Sequence, residues 1–232
     1  MKPYNTGNKM LNNTKRLECK AIMFDLDGVL VDSSESIVHH WKMWAEKHNL
    51  DLAEIMRNSA GMRSIETMRI VAPHLDLEKE SAEFEENEIN DKTGTTAYDG
   101  AYQLLTSLPH GKWAIVSSGS PLLIKTRLKV TGLPEPELII TAHDVVNGKP
   151  SPEPYLLGAE RLGLAPGDCV VVEDAPAGVE SGHKAGTKVI GVASTHTKEE
   201  LLAKGADFVV DKLNNIIISK SVNNDGLVIE ML

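Results

Sequence analysis

Met23-Phe24-Asp25-Leu26-Asp27-Gly28-Val29-Leu30-Val31-Asp32-Ser33 joins an apolar run to two carboxylates, a glycine and a polar pair. Upstream, Cys19 to Phe24 is short and rich in apolar residues, the pattern of a buried strand. Side chains two apart on an extended backbone share a side, so Asp25 and Asp27 point the same way at the strand's end. Gly28 permits a sharp departure from the strand. Asp32 with Glu35 three residues on has the spacing of a capping box, which predicts a helix start. Open α/β sheets bind ligands at the carboxyl ends of their strands. Two carboxylates there can supply a nucleophile and an acid/base, or together hold a hard cation. The plainer reading of the same residues is a strand, an Asp-Gly turn and a helix cap.

Outward from this segment, residues 33–48 read as a helix with Ile37, Trp41, Trp44 and Ala45 on one packing face. His39 and His40 are adjacent and so diverge on a helix, which disfavours a shared metal. Residues 50–96 are strand-poor, with helices expected at 51–57, 64–72 and 78–91 and a loop at Ser59-Ala60-Gly61-Met62-Arg63. Glu83, Glu85, Glu86 and Glu88 read as a solvated face. From Tyr98 strands alternate with helices. Strands are expected at 113–116, 138–140, 170–172, 189–192 and 208–210, with helices at 101–107, 121–130, 153–162, 177–185 and 198–204. This pattern predicts an α/β fold with a doubly wound parallel sheet. The helical block interrupts it, giving a polar tail at 1–18, a core at 19–34 and 98–232, and a cap at 35–97. Ile216-Ile217-Ile218 and Leu227-Val228-Ile229 flank Asn223-Asn224-Asp225-Gly226 as a terminal hairpin.

Three further motifs end or closely follow predicted strands: Ser117 in IVSSGS, Lys149 in GKPSPEPY, and Glu173-Asp174 in VVVEDAPAG. In a parallel sheet those ends converge on one edge. Alone, Ser117 reads as a helix cap, Lys149 as a solvated loop lysine and Glu173-Asp174 as a strand close. With FDLDGVLVDS, in this order, they resemble the four motifs of the haloacid-dehalogenase-like phosphatases over roughly residues 19–195.

The resemblance implies a Rossmann-like core with an inserted helical cap, and a role for each matched position. Asp25 would attack phosphorus and become an aspartyl phosphate. Asp27 would protonate the leaving alkoxide and then activate water. Ser117, Ser118 and Lys149 would bind the phosphoryl group, Lys149 also pairing with Asp25. Asp174 would bind Mg²⁺ with Asp25 and the carbonyl of Asp27, and Glu173 would be a further ligand or support. Dehalogenases of the superfamily lack the second Asp, so Asp27 favours phosphate chemistry. The segments around Lys149 and Glu173 are similar to glycerol-3-phosphate and 2-deoxyglucose-6-phosphate phosphatases. In that subgroup SAGMRS would place Arg63 on the substrate, the alternative being a surface arginine. A hexose-phosphate mutase of the β-phosphoglucomutase type shares all four motifs, and a non-catalytic sugar-phosphate binder is a further alternative that the intact acids disfavour.

The totals fit an ordinary globular chain. It has 232 residues, 41% apolar and 25% charged. A net charge of −9 argues against a nucleic-acid or membrane-surface partner, and asks a phosphate enzyme for local positive charge from metal, lysine or helix ends. No apolar run approaches 18 residues, and residues 1–18 lack the apolar core of a signal peptide. Cys19 and Cys169 open apolar strands and read as buried thiols in a reducing cytoplasm. A monomer acting on a small phosphorylated metabolite is the expectation.

Overall fold

The structure is a computed structural model that describes residues 15–221 and 226–232. Its centre is a six-stranded parallel sheet. In chain order the strands are β2 (Ala21–Phe24), β5 (Trp113–Val116), β6 (Ile139–Ile140), β7 (Cys169–Glu173), β8 (Lys188–Val192) and β9 (Phe208–Val210). They lie in the order β6-β5-β2-β7-β8-β9. Both faces of this sheet are covered, so β2, β5 and β7 are buried at every residue, as continuous apolar runs predict.

Alternation along β2 divides the core in two. Ile22 and Phe24 pack with helices α5 (Ala101–Ser107) and α6 (Pro121–Thr131) through Leu104, Leu105, Ile124 and Leu128. Ala21 and Met23 pack on the other side with α7 (Glu153–Arg161), α8 (Pro176–Lys184) and α9 (Lys198–Ala203) through Tyr155, Ala159, Val179 and Leu201.

The amino-terminal expectation needs correction. Cys19 does not belong to the central strand. It ends a separate strand, β1 (Lys15–Cys19), so residues 15–18 are paired structure rather than tail. β1 lies against β11 (Leu227–Met231), and β11 against β10 (Ile216–Lys220), in an antiparallel three-stranded sheet. The predicted terminal hairpin strands are present, and Leu227 and Ile229 extend the core. What sequence could not show is that the hairpin captures Lys15–Cys19, since that pairing joins the two ends of the chain. The tail's residues 1–14 and the hairpin's residues 222–225 lie outside the described residues.

Four helices fill the interval between β2 and β5: α1 (Ser34–His48), α2 (Leu52–Ser59), α3 (Ser64–Val71) and α4 (Leu77–Asn90). They bury their own cluster of Trp41, Trp44, Ile55, Met68, Ala72 and Phe84. Glu80 of α4 accepts hydrogen bonds from Trp44, Lys47 and His48 of α1. The chain enters and leaves this cap through a two-stranded antiparallel ribbon, β3 (Val31–Asp32) with β4 (Thr96–Ala97), too short to show as a strand pattern in sequence. The capping box at Asp32 and Glu35 is absent. Ser33 occupies the N-cap position, and its hydroxyl is turned to Asp27 instead of to the helix.

Candidate active site

Register in the sheet brings the four motifs together. Phe24 lies opposite Val172 and Ile115, so Asp25 and Glu173-Asp174 leave adjacent strands side by side, with Ser117 just past β5. The amide of Asp25 donates to Val172 O at 3.0 Å and that of Ser117 to Ile140 O at 3.0 Å, which holds each strand end in line. Ala142 N donates to Gly119 O at 2.9 Å and starts the loop that returns to Lys149.

Lys149 is almost wholly enclosed, with 1% of its surface exposed. Its Nζ lies 3.0 Å from Asp25 Oδ1 and donates to Glu173 Oε1 at 2.6 Å and to Val116 O at 3.0 Å. Burial opposes this ammonium, but Asp25 and Glu173 outweigh it and hold its proton above the ordinary lysine range. Burial pushes the Asp25 carboxyl up to about 7, against the downward pull of Lys149 and with the added repulsion of Glu173 and Asp27. Asp174 is pushed up in the same way by burial, then by Glu173 and Asp25. Three carboxyls at the strand ends thus face one ammonium, an excess of acid that Lys149 alone does not balance.

That excess, with the geometry, fits a cation. Asp25, Glu173 and Asp174 each offer an oxygen, and these lie within 4.8 Å of one another. Asp174 Oδ1 is buried without a hydrogen-bond partner, while its Oδ2 accepts from Thr195. A Cβ at Gly28, whose φ is +80°, would overlap the Asp174 carboxylate, so the turn after Asp27 admits only glycine. Hard oxygen donors in this number suit Mg²⁺. Glu173 differs from the other two. Its Oε1 accepts from Lys149 and Tyr155, and its Oε2 from the amides of Asp174 and Ala175, so it is already saturated and acts as a brace.

Asp27 faces the same cavity, its Oδ1 accepting from Ser33 Oγ at 2.7 Å and its Oδ2 from Arg127 Nη1. The cavity, of about 880 Å³, lies between the sheet edge and the cap and is also lined by Ser117, Ser118, Asp25 and Asp174. Ser117 Oγ accepts from Gly119 N at 3.2 Å, which keeps its hydroxyl proton free to point outward. Ser118 Oγ donates to Gly61 O of the cap at 2.8 Å. Gly61, at φ +74°, approaches so near to Ala175 that a Cβ would be 2.9 Å from that residue's own.

Arg63 borders the cavity, but its donors turn to the core loop. Nη1 reaches Ala142 O at 3.4 Å and Val145 O at 3.3 Å, and Nη2 reaches Val146 O at 2.8 Å and Glu66 Oε1 at 2.5 Å. Glu66 Oε1 in turn accepts from Gly148 N at 3.2 Å. The arrangement is a clasp from cap to the loop that carries Lys149.

Sequence reading missed Ser33, Tyr155, Thr195 and Arg127. It also set Glu88 on a solvated face, whereas its side chain is 10% exposed and bonds Arg127 Nη2 at 3.0 Å. Arg127 did carry a signal. It is the charged member of the buried stripe Leu123, Ile124, Arg127, Leu128 on α6.

Residues 22–192 match the family model described as haloacid dehalogenase-like hydrolase. The chain is 41% identical to Hexitol phosphatase A of Escherichia coli K12, over 91% of this chain and all of that one. It is 35% identical to 2-deoxyglucose-6-phosphate phosphatase 2 of Saccharomyces cerevisiae, over 90% of this chain and 94% of that one. A haloacid dehalogenase family hydrolase of Deinococcus radiodurans R1, solved with bound phosphate and sodium, superposes with a TM-score of 0.61 at 28% identity, over 84% of this chain and 92% of that one.

Proposed function

Because the chain belongs to the haloacid dehalogenase-like hydrolases, a phosphoric monoester hydrolase by its named relatives, we propose that it hydrolyses small sugar or polyol phosphates through a phosphorylated Asp25. One observation carries the reading: a buried lysine bridges Asp25 and Glu173 directly behind the end of the sheet, where Asp25, Ser117 and Asp174 line one cavity. A lone buried lysine in such a place has no packing reason to exist. Beside a nucleophilic carboxylate it neutralises the charge of an incoming phosphoryl group.

In this reading the phosphoryl oxygens are bound by Ser117 Oγ and Lys149 Nζ, with Ser118 at the rim. Lys149 holds Asp25 by Oδ1, which leaves Oδ2 to attack phosphorus in line with the ester oxygen. The P–O bond to the alcohol breaks as the bond to Asp25 forms, and Asp27 gives its proton to the departing oxygen. Asp27 then removes a proton from water as it attacks the phosphorus, which frees Asp25 and phosphate. Asp25, Asp174 and the carbonyl of Asp27 would hold Mg²⁺, whose contribution when bound is to offset the charge of phosphate and carboxylates. Glu173 supports Lys149 and the turn.

The substrate class rests on likeness to relatives named for hexitol and deoxyhexose phosphates, and the cavity's size suits a small ester. Its hydroxyl-bearing lining (Ser34, Ser59, Ser64, Ser81) suits a leaving group with several hydroxyls.

Phosphate release from a panel of hexitol, 2-deoxyglucose and glycerol monophosphates is the test. Turnover of at least one is expected to vanish with EDTA, to return with Mg²⁺ and to be inhibited by Ca²⁺, whose looser shell misplaces the phosphate. Full activity in chelator removes the metal from the mechanism, and no release from any of them overturns the substrate class. Formation of a hexose 6-phosphate from a hexose 1-phosphate would instead mark transfer to a second hydroxyl.

A further inference from the structure

Arg127 is 6% exposed, on a helix of the core and on no motif discussed above. A buried guanidinium is costly unless its donors are matched. Here the two ends of its fork go to two carboxylates from different parts of the chain. Nη1 donates to Asp27 Oδ2 and Nη2 to Glu88 Oε1 at 3.0 Å. Asp27 follows the central strand, Glu88 belongs to cap helix α4, and Arg127 belongs to α6 beneath both. The other oxygen of Asp27 is taken by Ser33 Oγ at 2.7 Å, so Arg127 supplies the second of two anchors on that carboxyl. All four residues border the cavity where the ester must lie.

We infer that Arg127 is a positioning residue for Asp27, and that Glu88 ties this positioning to the cap. The inference rests on the phosphatase reading, in which Asp27 exchanges protons with the leaving oxygen and with water. A carboxyl anchored on both oxygens has one orientation, and proton transfer falls off steeply outside hydrogen-bond reach. Arginine suits the task better than lysine because its planar fork can serve two acceptors at once. Since one of those acceptors is on the cap, displacement of α4 from the core removes half of the support. Arg127 then holds Asp27 most firmly while the cap covers the site, which links proton transfer to exclusion of bulk water.

The consequence can be separated from a merely structural role by the leaving group. A polyol leaves as an alkoxide and needs the proton of Asp27. p-Nitrophenolate is a stabilised anion and does not. Under the phosphoenzyme mechanism kcat/KM reports steps up to transfer onto Asp25 and is blind to the later attack by water. Arg127→Met keeps the bulk of the side chain on its apolar stripe. It is expected to lower kcat/KM for the best polyol phosphate by at least 10-fold, and for p-nitrophenyl phosphate by less than 3-fold. Arg127→Lys should recover part of the polyol activity, and Glu88→Gln should show the same selective loss at smaller size. In an Asp27→Asn background, Arg127→Met should cost nothing further, because the group it positions is gone.

Equal losses on both esters, or a full additional loss in the Asp27→Asn background, would overturn the inference. If Arg127→Met does not fold, Glu88→Gln and Arg127→Lys decide by the same ratio. The underlying reading is tested separately by Asp27→Asn itself. If that variant loses no more on the polyol ester than on the aryl ester, the acid role of Asp27 fails, whatever Arg127 does.

Discussion

Asp25 shows how one side chain acquires its chemistry from neighbours rather than from its own type. An exposed aspartate is a weak, well-solvated nucleophile. Here it is 5% exposed, fixed by Lys149 on one oxygen and left free on the other. Removing that carboxylate should leave packing intact and abolish the covalent step. Asp25→Asn is expected to lower kcat by about 10³-fold or more, some 4 kcal/mol of barrier, with little change in melting temperature. Phosphate-release assays alongside thermal melts check this. Retention of more than about a tenth of the activity would exclude a phosphorylated Asp25, because a nucleophile contributes more than that.

Among the elements, the cap matters most, because it closes the cavity and brings Glu88 and Arg63 to the core. The motif likeness put Arg63 on the substrate. The structure directs its guanidinium to the carbonyls of Ala142, Val145 and Val146. Its Nε and Glu66 Oε2 are buried without partners, a cost that the clasp's other hydrogen bonds offset. Arg63→Ala is therefore expected to lower kcat/KM about equally for a polyol phosphate and for p-nitrophenyl phosphate, by roughly 10-fold, the scale of one charge-assisted hydrogen bond. A loss confined to the polyol ester would return Arg63 to the substrate. The contrast with Arg127→Met, whose losses should differ between the two esters, separates a residue that shuts the cap from one that orients the acid.

Across the whole molecule, the sheet has a reactive end and an inert one. Cys169 pairs with Ala21 at the start of the central strands, four residues before Glu173, and Cys19 lies on the neighbouring small sheet. Burial pushes the Cys19 thiol up to about 12, with Cys169 adding to it, and burial pushes Cys169 up to about 11. Neither is a thiolate at neutral pH, so neither is a competent nucleophile. The double variant Cys19→Ser, Cys169→Ser should keep at least half of wild-type kcat/KM. Loss of activity in a protein that still melts cooperatively would contradict the placement.

The amino-acid sequence by itself determined the succession of elements and the convergence of the acids and lysine. Those follow from local rules: apolar runs of strand length, helical stripes, glycine stops, and the geometric fact that parallel strands present their carboxyl ends together. Helix α5 and strand β5 fall on their expected residues, 101–107 and 113–116. The tertiary structure decided what depends on partners far apart in the chain. It drew Lys15–Cys19 into a sheet with the carboxyl terminus, and it diverted Ser33 from the helix it caps to Asp27. It also saturated Glu173, and it joined Arg127 to residues 100 and 39 positions away. A side chain's hydrogen-bonding capacity is written in its type, but which acceptor satisfies it is set by packing, and burial makes that choice binding because an unmatched charge there is too costly to keep.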